Sequence, residues 1–158
     1  NQEKINNILF GDIKPAFVHG DLCFSNILYL DFTNNSEIFL KFIDPRGKFG
    51  NTYFFVDQYY DLAKLSHSVN VGYEYFIYDN FTITSKNKNN FNLVFSNDNK
   101  KEINKIFEAK FEKEYDMKKI KLIEATIFIG MCARHYDSFD RQLAMYLSGI
   151  KLLNEVLK

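Results

Sequence analysis

Asn26 follows the aspartate of His19-Gly20-Asp21 by five positions, and a later hydrophobic run ends in Ile43-Asp44-Pro45-Arg46-Gly47. An acid, an amide and a second acid in this order suit phosphoryl transfer. That reaction needs a carboxylate beside the attacking hydroxyl and separate oxygen ligands that hold magnesium against nucleotide phosphates. Asp21 can supply the carboxylate. A loop that reverses tightly after Asp21 brings the Asn26 amide oxygen to the same centre, and Asp44, at the end of a returning strand, adds a charged ligand. Such oxygen donors suit Mg²⁺, whereas the clustered His and Cys of a zinc or iron site are lacking. A magnesium-dependent hydrolase with Asp21 and Asp44 both as ligands is a rival arrangement, and phosphate release from ATP without an acceptor would mark it.

The elements that must position these residues follow from hydrophobic periodicity. Asn1 to Phe17 is expected to be a frayed helix end and a loop, with Gly11, Asp12 and Pro15 as turn and stop residues. Ile27 to Leu30 and Ile38 to Ile43 are strand-like and pair most simply as a hairpin through Thr33, Asn34, Asn35 and Ser36. Leu62, Leu65 and Val69 then recur at helical spacing, which predicts an amphipathic helix over 57–69 with Asp57 as cap. Tyr73 to Thr84, dense in Tyr, Phe, Ile and Thr, reads as a second hairpin with Phe91 to Phe95 across the polar stretch SKNKNN.

The helical period takes over from Asn99, which makes a capping box with Glu102 ahead of an apolar face of Ile103, Ile106, Phe107, Phe111 and Tyr115. Lys118 to Ala133 becomes apolar all round and is expected to be the central buried helix, with Glu124 facing an edge or a partner. Ser138 or Asp140 caps a last helix whose Leu143, Leu147, Ile150, Leu153 and Leu157 share one side. The predicted class is α+β, predominantly α-helical, with small β-hairpins.

A chain of 158 residues with 46% hydrophobic content can bury a core, and 17% aromatic residues are too many for disorder. Zero net charge excludes the basic field of a generic nucleic-acid binder. The longest truly apolar stretch, Ala125 to Ala133, falls far short of the ~20 residues of a membrane span. The N-terminus lacks a signal-peptide pattern, so the cytoplasm is the expected compartment. Cys23 and Cys132 form neither a disulfide framework nor a CxxC pair and read as reduced, buried thiols.

The HGD at 19–21, Asn26, the hydrophobic strand into Asp44, and Asp61-Leu62-Ala63 behind it resemble the kinase-like small-molecule phosphotransferases. This is the superfamily of aminoglycoside phosphotransferases, choline kinases and fructosamine kinases, in which HGDxxxxN replaces the protein-kinase HRDxxxxN. The IDPRGKFG segment with YYDLAKL behind it is most similar to phosphotransferase-like domains of bacterial surface-polysaccharide (capsule) biosynthesis proteins. The resemblance implies a protein-kinase-like C-lobe over 1–158, with a catalytic loop at 17–30, a metal-binding segment at 43–50, a hairpin insertion at 73–95 and C-terminal helices at 99–158. Asp21 would be the catalytic base or hydroxyl-orienting residue, Asn26 and Asp44 would bind Mg²⁺, and Asp61 would brace the catalytic loop. ATP would be the co-substrate, and the acceptor a hydroxyl of a sugar or amino alcohol. The chain departs from the family in two ways. The interval from Asn26 to Asp44 is longer than usual, which the TNNS turn absorbs. In addition, no glycine-rich loop or lysine-bearing strand precedes HGD. The nucleotide-binding N-lobe is therefore expected from the same, longer polypeptide. A non-catalytic binding or scaffolding domain derived from such a kinase is the alternative.

Other polar residues carry two readings each. His19 is expected to shape the loop by bonding nearby backbone or Asp44. Arg46 and Lys48 suit phosphate or an anionic substrate as well as a solvated turn. His135 and Asp137, in the segment from Arg134 to Asp137, can line an acceptor pocket or serve as a helix C-cap and N-cap, the latter being favoured. His67 reads as a packed helical histidine, and Cys23 as a small packed residue.

Overall fold

The computed structural model describes residues 1–32, 37–87, 90–96 and 100–158. The expected turn at Thr33 to Ser36 and the Asn99 half of the capping box lie outside the described residues. Helix, at 53%, outweighs strand, at 21%, and the strands form small antiparallel sheets, so the class is α+β with helices dominant. No helix among the described residues is long and apolar enough to cross a membrane.

The chain opens with α1 (Gln2–Gly11) and β1 (Pro15–Phe17). A 3₁₀ turn at Phe24–Asn26 leads into the hairpin β2 (Ile27–Phe32) and β3 (Glu37–Phe42), in register from Ile27 opposite Phe42 to Leu30 opposite Phe39. Two-residue strands β4 (Lys48–Phe49) and β5 (Thr52–Tyr53) follow, and β6 (Phe55–Asp57) returns to pair with β1. That pairing replaces the loop expected before residue 17, since its partner strand lies some forty residues away in sequence. Next come α2 (Tyr59–Ser66), a π-helical turn (His67–Val71), α3 (Tyr73–Ile77) and the hairpin β7 (Phe81–Asn87) with β8 (Asn90–Phe95). Helices α4 (Lys100–Phe111), α5 (Met117–Met131) and α6 (Phe139–Leu157) complete the chain.

Helix α5 is central, as its all-round apolar character predicts. It lends Ile120 to one core cluster, with Tyr59, Leu62 and Phe107, and Ala125 and Phe128 to another, with Phe76, Met145 and Leu152. Its packing on α6 corrects the expected leucine face. The fully buried stripe of α6 is Ala144, Met145, Ser148, Gly149, Leu152 and Val156, and the leucines flank it half-buried. Close approach decides this: a Cβ on Gly149 would lie 2.7 Å from Ile129 Cγ1 and 2.9 Å from the Ala125 carbonyl oxygen. Small residues therefore occupy the seam. Ser138 is the α6 cap, its hydroxyl accepting from the Arg141 N–H at 3.3 Å.

Three further expectations are corrected. Residues 73–77, read as strand, are helical: Gly72 turns the chain at φ +83 and Phe76 is driven into the core against Phe81, Phe95 and Phe128, so burial overrides β-propensity. The second hairpin thus starts at Phe81. The helix expected over 57–69 changes to a π-turn at His67, and Asp57 caps it from one position outside, accepting from the Tyr59 N–H at 3.2 Å. On α4, Phe107 is buried but Ile103 and Ile106 are exposed, because the helix meets the core only along its Phe107–Phe111 side, and Tyr115 lies beyond its end.

Candidate functional site

The loop from His19 to Asn26 is held by three side chains of the α2 and π-turn segment. Asp61 accepts from the His19 N–H at 2.6 Å and from the Gly20 N–H at 2.7 Å, one carboxylate oxygen to each. The Ser68 hydroxyl accepts from the Phe24 N–H at 3.1 Å and donates to Glu74 at 2.8 Å. Lys64, one helical turn after Asp61 and on the same side, places its ammonium 2.7 Å from Asp21 Oδ1. Gly20 is obligatory here: its φ is +77, and a Cβ would lie 2.6 Å from the Phe49 ring and 2.9 Å from Arg46 Cβ.

The β2–β3 hairpin sets the second half. Its base places Asn26 beside Ile43, whose N–H donates to the Asn26 carbonyl at 3.0 Å. Asp44 follows in the left-handed region at φ +56, a strained backbone for a residue other than glycine. The next turn is tied to the loop by the Arg46 N–H, which donates to the His19 carbonyl at 2.8 Å. The Arg46 guanidinium donates to the Tyr60 hydroxyl at 2.9 Å and lies 5.0 Å from the Phe49 ring centre.

Asp21, Asp44, Arg46 and His135 line one cleft of about 690 Å³ between the loop and α5. Asn26 does not itself line it. Its amide nitrogen donates to the Asp21 carbonyl at 2.9 Å, so only Oδ1 could serve as a ligand. His19 stands behind the loop: Nδ1 accepts from the Asp21 N–H at 3.3 Å, while Nε2 is buried without a hydrogen-bond partner. Lys48 and Asp137 are not brought to the cleft. Lys48 is exposed on β4, and Asp137 is taken by Arg141 at 2.9 Å. Burial, then Arg141 and Arg134, lower the His135 pKa and favour the neutral ring. Burial first, then the neighbouring Cys23 and Asp21, push the Tyr73 phenol up to about 12, so it stays protonated.

Sequence reasoning missed Lys64. A lysine three residues after Asp61 in a helix pointing at the loop was the available signal, but its burial is a tertiary fact. His67 packs between Tyr73 and Phe128, with ring centres at 4.5 and 4.1 Å, and burial holds its pKa well below the usual value. Glu124, expected at an edge or partner, is fully buried; it accepts from Ser66 at 2.7 Å and from Asn70 at 3.3 Å. Cys23 is buried and free.

Among the described residues no three His, Cys, Asp or Glu side chains converge as a metal cage. The oxygens expected to hold a cation are the Asp44 carboxylate, which lines the cleft, and the Asn26 amide oxygen, which does not. This hard, incomplete set fits Mg²⁺, which ordinarily takes one or two protein oxygens and completes its shell with water and substrate phosphates. No family model, curated protein or solved structure matches the chain.

Proposed function

We propose that this chain is the C-lobe of a kinase-like phosphotransferase that moves the γ-phosphoryl group of ATP to a hydroxyl of a small molecule. The observation that carries the reading is the double hydrogen bond from the His19 and Gly20 N–H groups to Asp61, which holds the Asp21 loop against α2, while the Arg46 N–H on the His19 carbonyl ties the same loop to the turn after Asp44. In the transfer, the acceptor oxygen bonds to the γ-phosphorus, the bond from that phosphorus to the bridging oxygen breaks, and ADP leaves with the electron pair. Asp21 Oδ1 is held by Lys64, which leaves Oδ2 to orient the acceptor hydroxyl and take its proton. Asn26 and Asp44 would hold Mg²⁺, which when bound neutralises phosphate charge. The protein's work is positioning, since a loose phosphoryl transition state asks for little covalent chemistry.

The reading requires a nucleotide-binding lobe as partner. The β2–β3 hairpin offers it apolar surface, with Leu28, Tyr29, Leu30, Ile38, Phe39 and Leu40 all exposed. A two-stranded hairpin is marginal alone and gains stability from a covering layer.

The test incubates the full gene product with ATP, Mg²⁺ and a panel of hydroxyl compounds. Acceptor-dependent ADP formation that Asp21→Asn abolishes supports the proposal. ATP hydrolysis that ignores the acceptor would favour the hydrolase arrangement, and nucleotide binding without turnover would favour a binding domain.

A further inference from the structure

Thr126 and Gly130 on α5, and Arg134 in the turn that follows, stand in one row at intervals of four along the cleft. Ile127, Met131 and His135 form the adjoining row and line the same cleft. Thr126 and Gly130 are exposed on an otherwise mostly buried helix, and a Cβ on Gly130 would meet no atom within 4 Å. Glycine destabilises a helix interior, and here no packing contact requires it. It opens a notch between a hydroxyl and a guanidinium, with apolar side chains alongside.

The charge of the cleft is unbalanced in the same place. Lys64 and Asp21 neutralise each other, and Asp44 is the residue assigned to a cation. Among the described residues, neither Arg46 nor Arg134 has a carboxylate partner, whereas nearby Arg141 is bracketed by Asp79 at 3.0 Å and Asp137 at 2.9 Å. Arg46, two residues from Asp44 and anchored on Tyr60, belongs to the metal end. Arg134 stands at the far end of the row, beside a His135 ring that adds no negative charge.

We infer that the row of Thr126, Gly130 and Arg134 is the acceptor subsite, and that it selects a polyhydroxylated acceptor which itself carries a phosphate or carboxylate. The inference rests on the phosphotransfer reading. The ring of the acceptor sits in the Gly130 notch against Ile127 and Met131, its anionic group pairs with Arg134, and a free hydroxyl is left toward Asp21. A cationic amino alcohol would meet like charge at Arg134 and is disfavoured.

The experiment titrates glucose 6-phosphate, glucuronate, glucose, glucosamine and inorganic phosphate into the full gene product by calorimetry, without nucleotide. At least one anionic sugar should bind roughly tenfold or more tighter than glucose, the scale of a charge-assisted hydrogen bond. Whichever of the two anionic sugars binds better identifies the anion as phosphate or carboxylate. Arg134→Gln should reduce that sugar to the level of glucose, and Arg134→Lys should retain part of the preference. Gly130→Leu should abolish sugar binding without lowering the melting temperature, because its side chain enters open space. Equal binding of glucose or glucosamine, equal binding of bare inorganic phosphate, an Arg134→Gln variant without effect, or no binding at all would each overturn the inference. Because no ATP is present, failure of phosphotransfer leaves this test standing. Conversely, phosphorylation confined to neutral sugars and lost in Asp21→Asn would keep the phosphotransfer reading and reject this subsite.

Discussion

The ammonium of Lys64, itself buried, lies 2.7 Å from a carboxylate oxygen of Asp21, whose side chain is 40% exposed. The two partners are unequal. Losing the lysine leaves an aspartate that water can reach, whereas losing the aspartate leaves a buried cation with the His67 ring nitrogen, at 3.5 Å, in place of a countercharge. Asp21→Asn should therefore destabilise the fold more than Lys64→Met, by about 1–3 kcal/mol. Adding Lys64→Met to Asp21→Asn should restore part of that stability. Denaturant melts of the single and double variants form the cycle that measures the coupling, and additive effects would refute it. If the proposed phosphotransfer holds, Lys64→Met should cost at least roughly tenfold in kcat with little change in nucleotide affinity, since it displaces the residue proposed to orient the acceptor, with Lys64→Arg partly rescuing it.

Asp61 gives one oxygen to each of two loop N–H groups. Asp61→Ala leaves both without their partner and should cost about 1–3 kcal/mol for each one kept from water. Asp61→Asn has one acceptor oxygen and should fall between alanine and wild type. Unfolding free energies rank the three, and an alanine variant as stable as wild type would show that the loop stands without its brace.

Glu124 should make stability depend on pH in the opposite sense to a paired surface carboxylate. Burial raises its pKa from 4.5 to about 7, against hydrogen bonds from Ser66 and Asn70 that lower it. The native state thus keeps a proton that the unfolded chain releases above 4.5. Stability should fall as pH rises from about 4.5 to 7 and level off above, by an amount of order 3 kcal/mol. Glu124→Gln should flatten that slope. A wild-type profile rising through this window, unchanged in the variant, would contradict the assignment.

Two glycines on the packed pair α5 and α6 should respond oppositely to alanine. Gly149→Ala forces a Cβ into Ile129 and the Ala125 carbonyl and should cost about 1–3 kcal/mol through overpacking. Gly130→Ala meets nothing within 4 Å and should gain roughly 0.4–1 kcal/mol from the reduced freedom of the unfolded chain. Thermal melts of the two variants decide, and equal shifts would show that the seam is looser than the contact distances imply.

Patterns contained in a short window were legible in the sequence: the β2–β3 hairpin from two apolar runs, α5 from a stretch that becomes apolar all round, and Ser138 as a cap. Asp61 was identified by resemblance, since spacing alone did not say which backbone groups it would meet. Tertiary structure decided the rest. It made Tyr73–Ile77 a helix because Phe76 had a core to enter, and it turned the leucine face of α6 aside because Gly149 allows α5 to come close. It brought Lys64 to Asp21, Ser66 to Glu124 and β1 to β6, all joining residues about forty or more apart in sequence. Periodicity and propensity act between neighbours along the chain. Burial of a charge and its neutralisation by a distant partner arise only when the whole chain has closed around them, so the charge balance of the cleft appears in no local pattern.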